Sequence, residues 1–564
     1  GLEPIVISAS TAMRRTQALR ESAVAGVDGI GPLSSAGRAP RLLHAESPAI
    51  LGAGGSGSMC RAVPVCGRGS KAPCRGAAVA AVLCALVLGA TAGRAGAEPS
   101  VPWLPSASAR HALQLLADEA GLDLPVSQWP LPAGAVLRAL EALPAALPPG
   151  ADAARSLLGG ELQAQRAARL QLAVRSRADA LVGYGDDATP GSAFAVRSAV
   201  AAGSAFALRV GARIEERAHA DRSGVDGRLD DSAVVVEALG LQLRASSQRS
   251  WWSPGWQGAL ALGNNAPAFT GVGLQRASAS TSGSPWLAWL GPWSFDIFVA
   301  RTEDGDGFSS RPYLLANRLT FKPWPFIELG LTKTTQWGGQ GRPQSWRSFV
   351  DAWLGAGLNT DADTSVADDA ANALAGFDLR LRCPFGVRCA AYGQWIGEDE
   401  ASNLPSAYLN LWGVEAWSAD GAHRWFAEYA STHCHQSVVR QPESGCAYRN
   451  HAYPQGWASA GRWIGHGAGP DSRLLTLGWL HASGASLRLH AGSVGSRVGS
   501  TSPTTDDPAT SGRLVGVSAR WHFAWSPGVS VAPEIDWLRV RAAQGRHSEA
   551  RVGATVSVAL GAAQ

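Results

Sequence analysis

Residues 515–528 read VGVSARWHFAWSPG. Val515, Val517, Ala519, Trp521, Phe523 and Trp525 alternate with Gly516, Ser518, Arg520, His522 and Ala524, and Ser526-Pro527-Gly528 then supplies a turn. A period of two puts one set on each face of a β-strand, one face apolar and the other polar. The pattern recurs upstream. Phe377, Leu379 and Leu381 alternate with Asp378, Arg380 and Arg382, and Phe295, Ile297 and Val299 lie opposite Ser294 and Asp296. Turn signals such as Asp304-Gly305-Asp306-Gly307, Asp420-Gly421 and Gly545 separate such runs. From about Arg166 onward the chain therefore reads as strands.

Amphipathic strands suit a soluble sandwich or propeller with its apolar face inside, or an outer-membrane barrel with that face against lipid and charges in the lumen. Three features favour the barrel. The chain carries an export signal and no apolar run long enough for a transmembrane helix. Its polar strand faces are rich in Arg, Asp and Glu. Tryptophans gather near turns and strand ends, at Trp251, Trp252, Trp256, Trp286, Trp289, Trp293, Trp324 and Trp337, as interfacial girdles do. At about 20 to 24 residues per strand with its loop, residues 166–564 make roughly 16 to 20 strands. The terminal VSVALGAAQ lacks the final aromatic residue common on exported barrels.

Residues 98–165 differ. Ala109 to Ala120 sets Leu113, Leu116 and Ala120 on one helical face, with Gly121 as C-cap. A second helix is expected over Ala133 to Leu143, after the SQWPLP turn, and a third from Asp152, as cap, to Leu158. Ahead of this region, residues 1–58 have no sustained period and read as upstream or disordered sequence. Met59 opens a signal peptide over 59–97: a basic start (Arg61, Arg68, Lys71, Arg75), an apolar run from Ala77 to Ala90, and Ala95-Gly96-Ala97 before cleavage near Glu98. Without residues 1–97 the chain keeps 39 Lys and Arg against 41 Asp and Glu, a net of −2, so no basic footprint for nucleic acid remains.

Cys60, Cys66, Cys74 and Cys84 leave with the leader. The local spacing of Cys383 with Cys389 and of Cys434 with Cys446 points, in an exported chain, to two disulfides. Thr432-His433-Cys434-His435 offers a competing metal site, but lacks the paired spacing of a zinc centre.

Three stretches carry a more specific signal: SWWSPGWQGALALGNNAPAF (250–269), RLTFKPWPFIELGLTKTTQWGGQGRPQSWRSFVDAW (318–353) and CAYRNHAYPQGWASAGRWIGHGAGPD (446–471). With the short helical N-terminus and its LPVSQWPLP turn, they resemble the Wzi family of capsule-assembly outer-membrane proteins, in order across residues 98–564. The resemblance implies an 18-stranded all-β barrel with a small α-helical region at its periplasmic end. It also implies a lectin-like role in attaching capsular polysaccharide at the cell surface, without catalysis or cofactor. Capsular polysaccharide, outer-membrane lipid and other capsule-export proteins are the partners implied.

The residue chemistry fits a sugar ligand. Aromatic rings stack on sugar C–H faces, amides take hydroxyls, and an Arg fork pairs with a uronic carboxylate. QWGGQGRPQ offers Gln336 and Gln344 as amides, Trp337 as platform and Arg342 as cation. Trp251, Trp252 and Trp256 are further platforms, and His466 a hydroxyl partner. Each also suits a structural role: Gly338, Gly339, Gly341 and Pro343 make a tight turn, and the WWSPGW cluster an interfacial anchor or barrel-mouth packing. The alternative function on this architecture is a sugar-specific channel or export porin. A glycan hydrolase would need a facing carboxylate pair drawn from residues such as Glu328, Asp351 or Glu428. P-loop, Rossmann, GxSxG and HExxH patterns are absent from the sequence.

Overall fold

The computed structural model describes residues 100–560 apart from 177, 179, 190, 204, 217–223, 305–309, 356–370, 402–403, 436–442, 496–510 and 544. The leader, its four cysteines and part of the Asp304–Gly307 turn lie outside the described residues.

The alternating runs pair into one antiparallel sheet of 22 segments. Four pairs of segments are halves of single strands broken by a kink: Ala193–Arg197 with Ala201–Ala202, Phe206–Arg209 with Gly211–Glu216, Val225–Arg228 with Ala233–Ala238, and Gly512–Arg520 with Phe523–Ser526. Counting each once leaves eighteen strands among the described residues. Each pairs with its neighbours in chain order, and the last, Gly545–Leu560, pairs with the first, Ala168–Arg175, through Gly553↔Arg175 to Leu560↔Ala168. That pairing removes the free edges and closes the sheet on itself. The run that opened the sequence argument is one of the kinked strands. Gly512–Arg520 and Phe523–Ser526 both pair with Val529–Ala542, the break falling at Trp521-His522.

The faces sort as the alternation requires. Leu172, Leu243, Val272, Leu331, Phe377, Val414, Leu477, Val515 and Val552 are exposed on the outside, while Arg244, Arg318, Asp378, Arg380, Glu415, Glu428, Arg488 and Asp536 are buried inside. An apolar exterior around a charged interior is the inverse of a soluble protein and suits a lipid solvent. Short turns at Leu239-Gly240, Ser418–Ala422, Ala482–Ala485 and Pro527-Gly528 mark one end, and the long connections 249–268, 338–370 and 436–472 leave the other. In outer-membrane barrels the short-turn end faces the periplasm.

Among the described residues, three helices precede the barrel. Ala107–Glu119 is N-capped by Ser106, whose Oγ accepts from Ala109 N. Ala133–Glu141 follows, and then Pro149–Arg166, eight residues longer at its C-terminus than the sequence suggests. Leu158 and Leu162 are both buried in the cluster that holds the first helix, and this packing outweighs the helix-weakening Gly159-Gly160 between them. Asp152 lies inside the first turn, where it pairs with Arg155 at 2.6 Å and does not cap.

The tryptophans divide. Trp286, Trp289 and Trp324 are exposed near the short-turn end, as a girdle requires, and Trp293 is buried beneath the Arg276 guanidinium at 4.2 Å. Trp251, Trp252 and Trp256 are not interfacial at all. Their segment folds into the lumen, because it offers the N-terminal region a pairing partner there: Trp251↔Trp129 and Trp252↔Gln128 form a small antiparallel ladder.

Candidate functional site

The lumen is filled from both ends. From the short-turn end, the Ala107–Glu119 helix inserts polar side chains among the inward-facing wall residues. Asp118 takes a two-point contact from Arg380 (2.8 and 2.6 Å), and Arg380 also reaches Glu415 at 2.7 Å. His111 accepts from Arg424 Nε, and Trp417 Nε1 donates to Glu119. The next stretch continues upward. Val126 N donates to both oxygens of Glu328 at 2.9 Å, and Arg318 bridges Asp378 and the Ser127 carbonyl. The ion pairs Arg380–Asp118 and Arg318–Asp378 are buried and hydrogen-bonded, the arrangement in which an interior ion pair is tolerated and its breakage is costly.

From the long-loop end come residues 250–268, all buried. Trp251, Trp252 and Trp256 are 2%, 0% and 4% exposed. Trp251 Nε1 donates to Gly255 O at 3.1 Å, closing the Ser-Pro-Gly turn, and Trp256 Nε1 donates to Glu415 at 2.7 Å. Arg110 of the first helix lies 4.2 Å over the Trp256 ring and 4.4 Å over Tyr184, and donates to the Pro254 and Gly255 carbonyls. Burial pulls this guanidinium down to about 10, with nearby Tyr184 and Glu415 opposing the shift. Segment 446–470 lies across the strap: Tyr448 Oη donates to Leu260 O, Trp457 Nε1 to Ala261 O, and Arg462 to Asn265. His466 is enclosed here. Its Nδ1 accepts from Ala468 N, so the proton sits on Nε2, and burial lowers its pKa to about 4.

The QWGGQGRPQ stretch sits at the long-loop rim, and its two ends face opposite ways. Gln336 points inward, fully buried, donating to Gly456 O at 3.0 Å and accepting from Asn372 at 3.1 Å. Trp337 therefore points outward. It packs between Tyr313 and Phe349, with ring centroids 5.5 and 5.3 Å away, and donates to Ser348 Oγ at 3.2 Å. Phe349 belongs to the helix Trp346–Leu354, which packs beside the outward-facing Leu315, Ala371 and Ala373, so it covers the outside of the wall. Lys333, also outward, donates to the Trp353 carbonyl at the end of that helix. Between the two sides, Arg342 lies 5.1 Å over the Tyr453 ring, Tyr453 donates to Gly338 O, and Gln344 Nε2 donates to Gly339 O at 2.7 Å. Gly339, at φ 97°, has no room for a Cβ, which would collide with Ser310 O, so the turn is pressed against the neighbouring loop. Arg342 and Gln344 are thus brought together, half-buried and exposed respectively, whereas Trp251, Trp252, Trp256 and His466 lie in the packing beneath. Tyr453 and Trp346 (77% exposed) join this rim. Trp346 could have been found by extending the QWGGQGRPQ reading two residues, but nothing local announces Tyr453, more than 100 residues away.

Both disulfides form, Cys383–Cys389 and Cys434–Cys446, which commits Cys434 to sulfur chemistry and not to a metal. They stand at opposite ends of the barrel: the first closes a short turn, and the second ties a long loop to its strand. The three carboxylates considered for hydrolysis do not face one another as a pair. Glu328 holds Val126 N, Glu428 holds Trp256 N and the Tyr392 hydroxyl, and Asp351 lies on the outer helix.

A closed barrel with a greased exterior and a lumen packed with its own chain defines a plugged outer-membrane β-barrel. The chain belongs to the Wzi family: residues 163–549 match the model of the capsule assembly protein Wzi. Among solved structures it is similar to Wzi of Escherichia coli, an outer membrane protein involved in group 1 capsule assembly and a carbohydrate-binding β-barrel, at 22% identity and a TM-score of 0.67 over 82% of this chain and 100% of that one. OprD of Pseudomonas aeruginosa, at 11% identity and a TM-score of 0.38 over 70% of this chain and 96% of that one, is too distant to bear on function. An uncharacterized 55.8 kDa protein of the Klebsiella pneumoniae cps region is 35% identical over 194 residues, 33% of this chain and 37% of that protein, so the match spans little more than a third of that relative's length.

Proposed function

We propose that this chain holds capsular polysaccharide at the cell surface as a lectin-like assembly factor, with the long-loop rim as its contact surface. The observation that carries this reading is the filled lumen. Helix Ala107–Glu119 and the strap 250–268 meet inside the barrel through Arg110, Trp251 and Trp256, which leaves the rim as the surface for a polymer. Arg342 supplies a planar cation for an acidic sugar, Gln344 an exposed amide and Tyr453 a ring beneath them. Trp251, Trp252, Trp256, Gln336 and His466 hold the rim in place from below. Trp337 anchors the outer helix, whose exposed Trp346 and Leu354 suit the lipid–water boundary and support outer-membrane lipid as a second partner. The same filling argues against the sugar-channel alternative. Co-sedimentation of purified capsular polysaccharide with the chain in lipid discs tests the reading. Arg342→Ala with Gln344→Ala is expected to weaken retention about tenfold or more; full retention would remove the rim from the site.

A further inference from the structure

Beside the plug, toward the short-turn end, one pocket of the otherwise filled lumen stays open. A cavity of about 790 Å³ lies between the N-terminal helices and the inner wall, lined by Arg169, Arg197, Arg209 and Gln248 among others. Its inner end is closed by the segment Tyr184–Asp187. Asp186 is tied to Arg488 at 2.6 Å, and Asp187 to Arg213 at 2.8 Å and Arg249 at 3.1 Å. Its other end reaches Gly484, Ser526 and Gly528, in the short turns.

Toward the short-turn end the charges stop matching. Arg169 and Arg197 are direct cross-strand partners. Gly211 faces Arg197 on the next strand, which makes Arg209, two residues away, its diagonal neighbour. Like charges so placed repel. The carboxylate that Arg197 and Arg209 share is Asp231, at 3.8 and 3.9 Å and 59% exposed, too far for a hydrogen bond to either. Arg197 Nε and Nη2 and Arg209 Nη1 are buried with no partner, and so is Oε1 of Gln248, whose amide nitrogen is engaged by Pro102 O at 3.2 Å. Buried guanidinium nitrogens without acceptors beside a buried acceptor without a donor form a complementary set.

We propose that this cavity binds a carboxylate-bearing saccharide entering from the short-turn end, its carboxylate taken by Arg197 and Arg209 and a ring hydroxyl donated to Gln248. A planar carboxylate matches the guanidinium fork. The ring hydroxyls of a sugar acid stand away from its carboxylate and can reach Gln248, whereas the proton of hydrogen phosphate is carried on the anion that the arginines hold. The choice of a sugar as carrier of the anion rests on the lectin reading above; the anion site itself does not. This second site lies at the end of the barrel opposite the rim and is separated from it by the ion-paired Tyr184–Asp187 segment.

The test is calorimetric titration of the full chain in detergent with oligomers of glucuronic acid, oligomers of glucose, and inorganic phosphate. The wild type is expected to bind oligoglucuronate in preference to oligoglucose. The Arg197→Gln, Arg209→Gln double variant is expected to lose tenfold or more in that affinity. Gln248→Leu is expected to weaken oligoglucuronate while leaving phosphate unchanged. Heat-modifiable gel migration checks that each variant has closed its barrel, and the double variant should be at least as heat-resistant as the wild type, since it removes two of three neighbouring cations that repel one another. Unchanged oligoglucuronate affinity in the folded double variant, or binding of phosphate without glucuronate, overturns the proposal. Arg342→Ala separates the two sites: affinity lost there but kept in the double variant supports the rim and refutes the cavity, and the converse supports the cavity and refutes the rim.

Discussion

Arg424 Nε donates to His111 Nδ1 at 2.8 Å, and His111 Nε2 passes a hydrogen bond to Gly421 O, also at 2.8 Å. One imidazole of the plug helix thus spans a wall strand and the turn before it. The bond from Arg424 fixes the tautomer, because an Nδ1 that accepts cannot carry the proton.

The plug should therefore be acid-sensitive. Burial, and next the charge of Arg424, lower the His111 pKa to about 3, and burial alone lowers His466 to about 4. A histidine held neutral in the folded state contributes its full stability above the unfolded value near 6.5 and loses it as pH falls from there toward the folded value. We expect plug packing, followed by tryptophan fluorescence, to be constant from pH 8 to 7 and to weaken progressively between about pH 6.5 and 4. His111→Gln, which keeps a donor and an acceptor without titrating, should flatten part of that profile.

Removing the carboxylate of Asp118 leaves Arg380 with Glu415 alone in a buried site. Losing one partner of a buried pair costs about 3–5 kcal/mol, so Asp118→Ala should release the helix from the lumen while the strand ladder survives. Planar-bilayer recordings should then show conductance that the wild type lacks, with heat-modifiable gel migration unchanged.

The disulfides should behave differently from each other. Cys434–Cys446 closes a separation of 12 residues and tethers segment 446–470 over the strap; a loop near that length is worth about 3 kcal/mol. Cys434→Ser with Cys446→Ser should expose residues 446–470 to protease added to whole cells and weaken polymer retention. The Cys383→Ser, Cys389→Ser pair, at the opposite end, should leave both unchanged.

Strand alternation was legible because a barrel wall meets two different solvents, and Phe377 beside Asp378 cannot satisfy both in any other register. The same parity, carried along from Leu331 through Lys333 and Thr335, places Trp337 on the outside; reading QWGGQGRPQ as an isolated motif hid it. WWSPGW was ambiguous in principle. An interfacial turn and a lumenal strap want the same aromatic residues, and only the pairing of Trp251 with Trp129, over 120 residues away, decides between them. The cavity arginines were silent for a related reason: Arg169, Arg197 and Arg209 look like any inward-facing charges until the wall closes and, among the described residues, one carboxylate is left among three cations.

The measurement that bears most directly on the central claim is co-sedimentation of an acidic capsular polysaccharide with the chain in lipid discs, with polymer length determined before and after. A plugged barrel that holds polymer at its rim should retain it at unchanged length, and Arg342→Ala with Gln344→Ala should release it. Polymer that stays in the supernatant with intact wild-type discs would contradict the account.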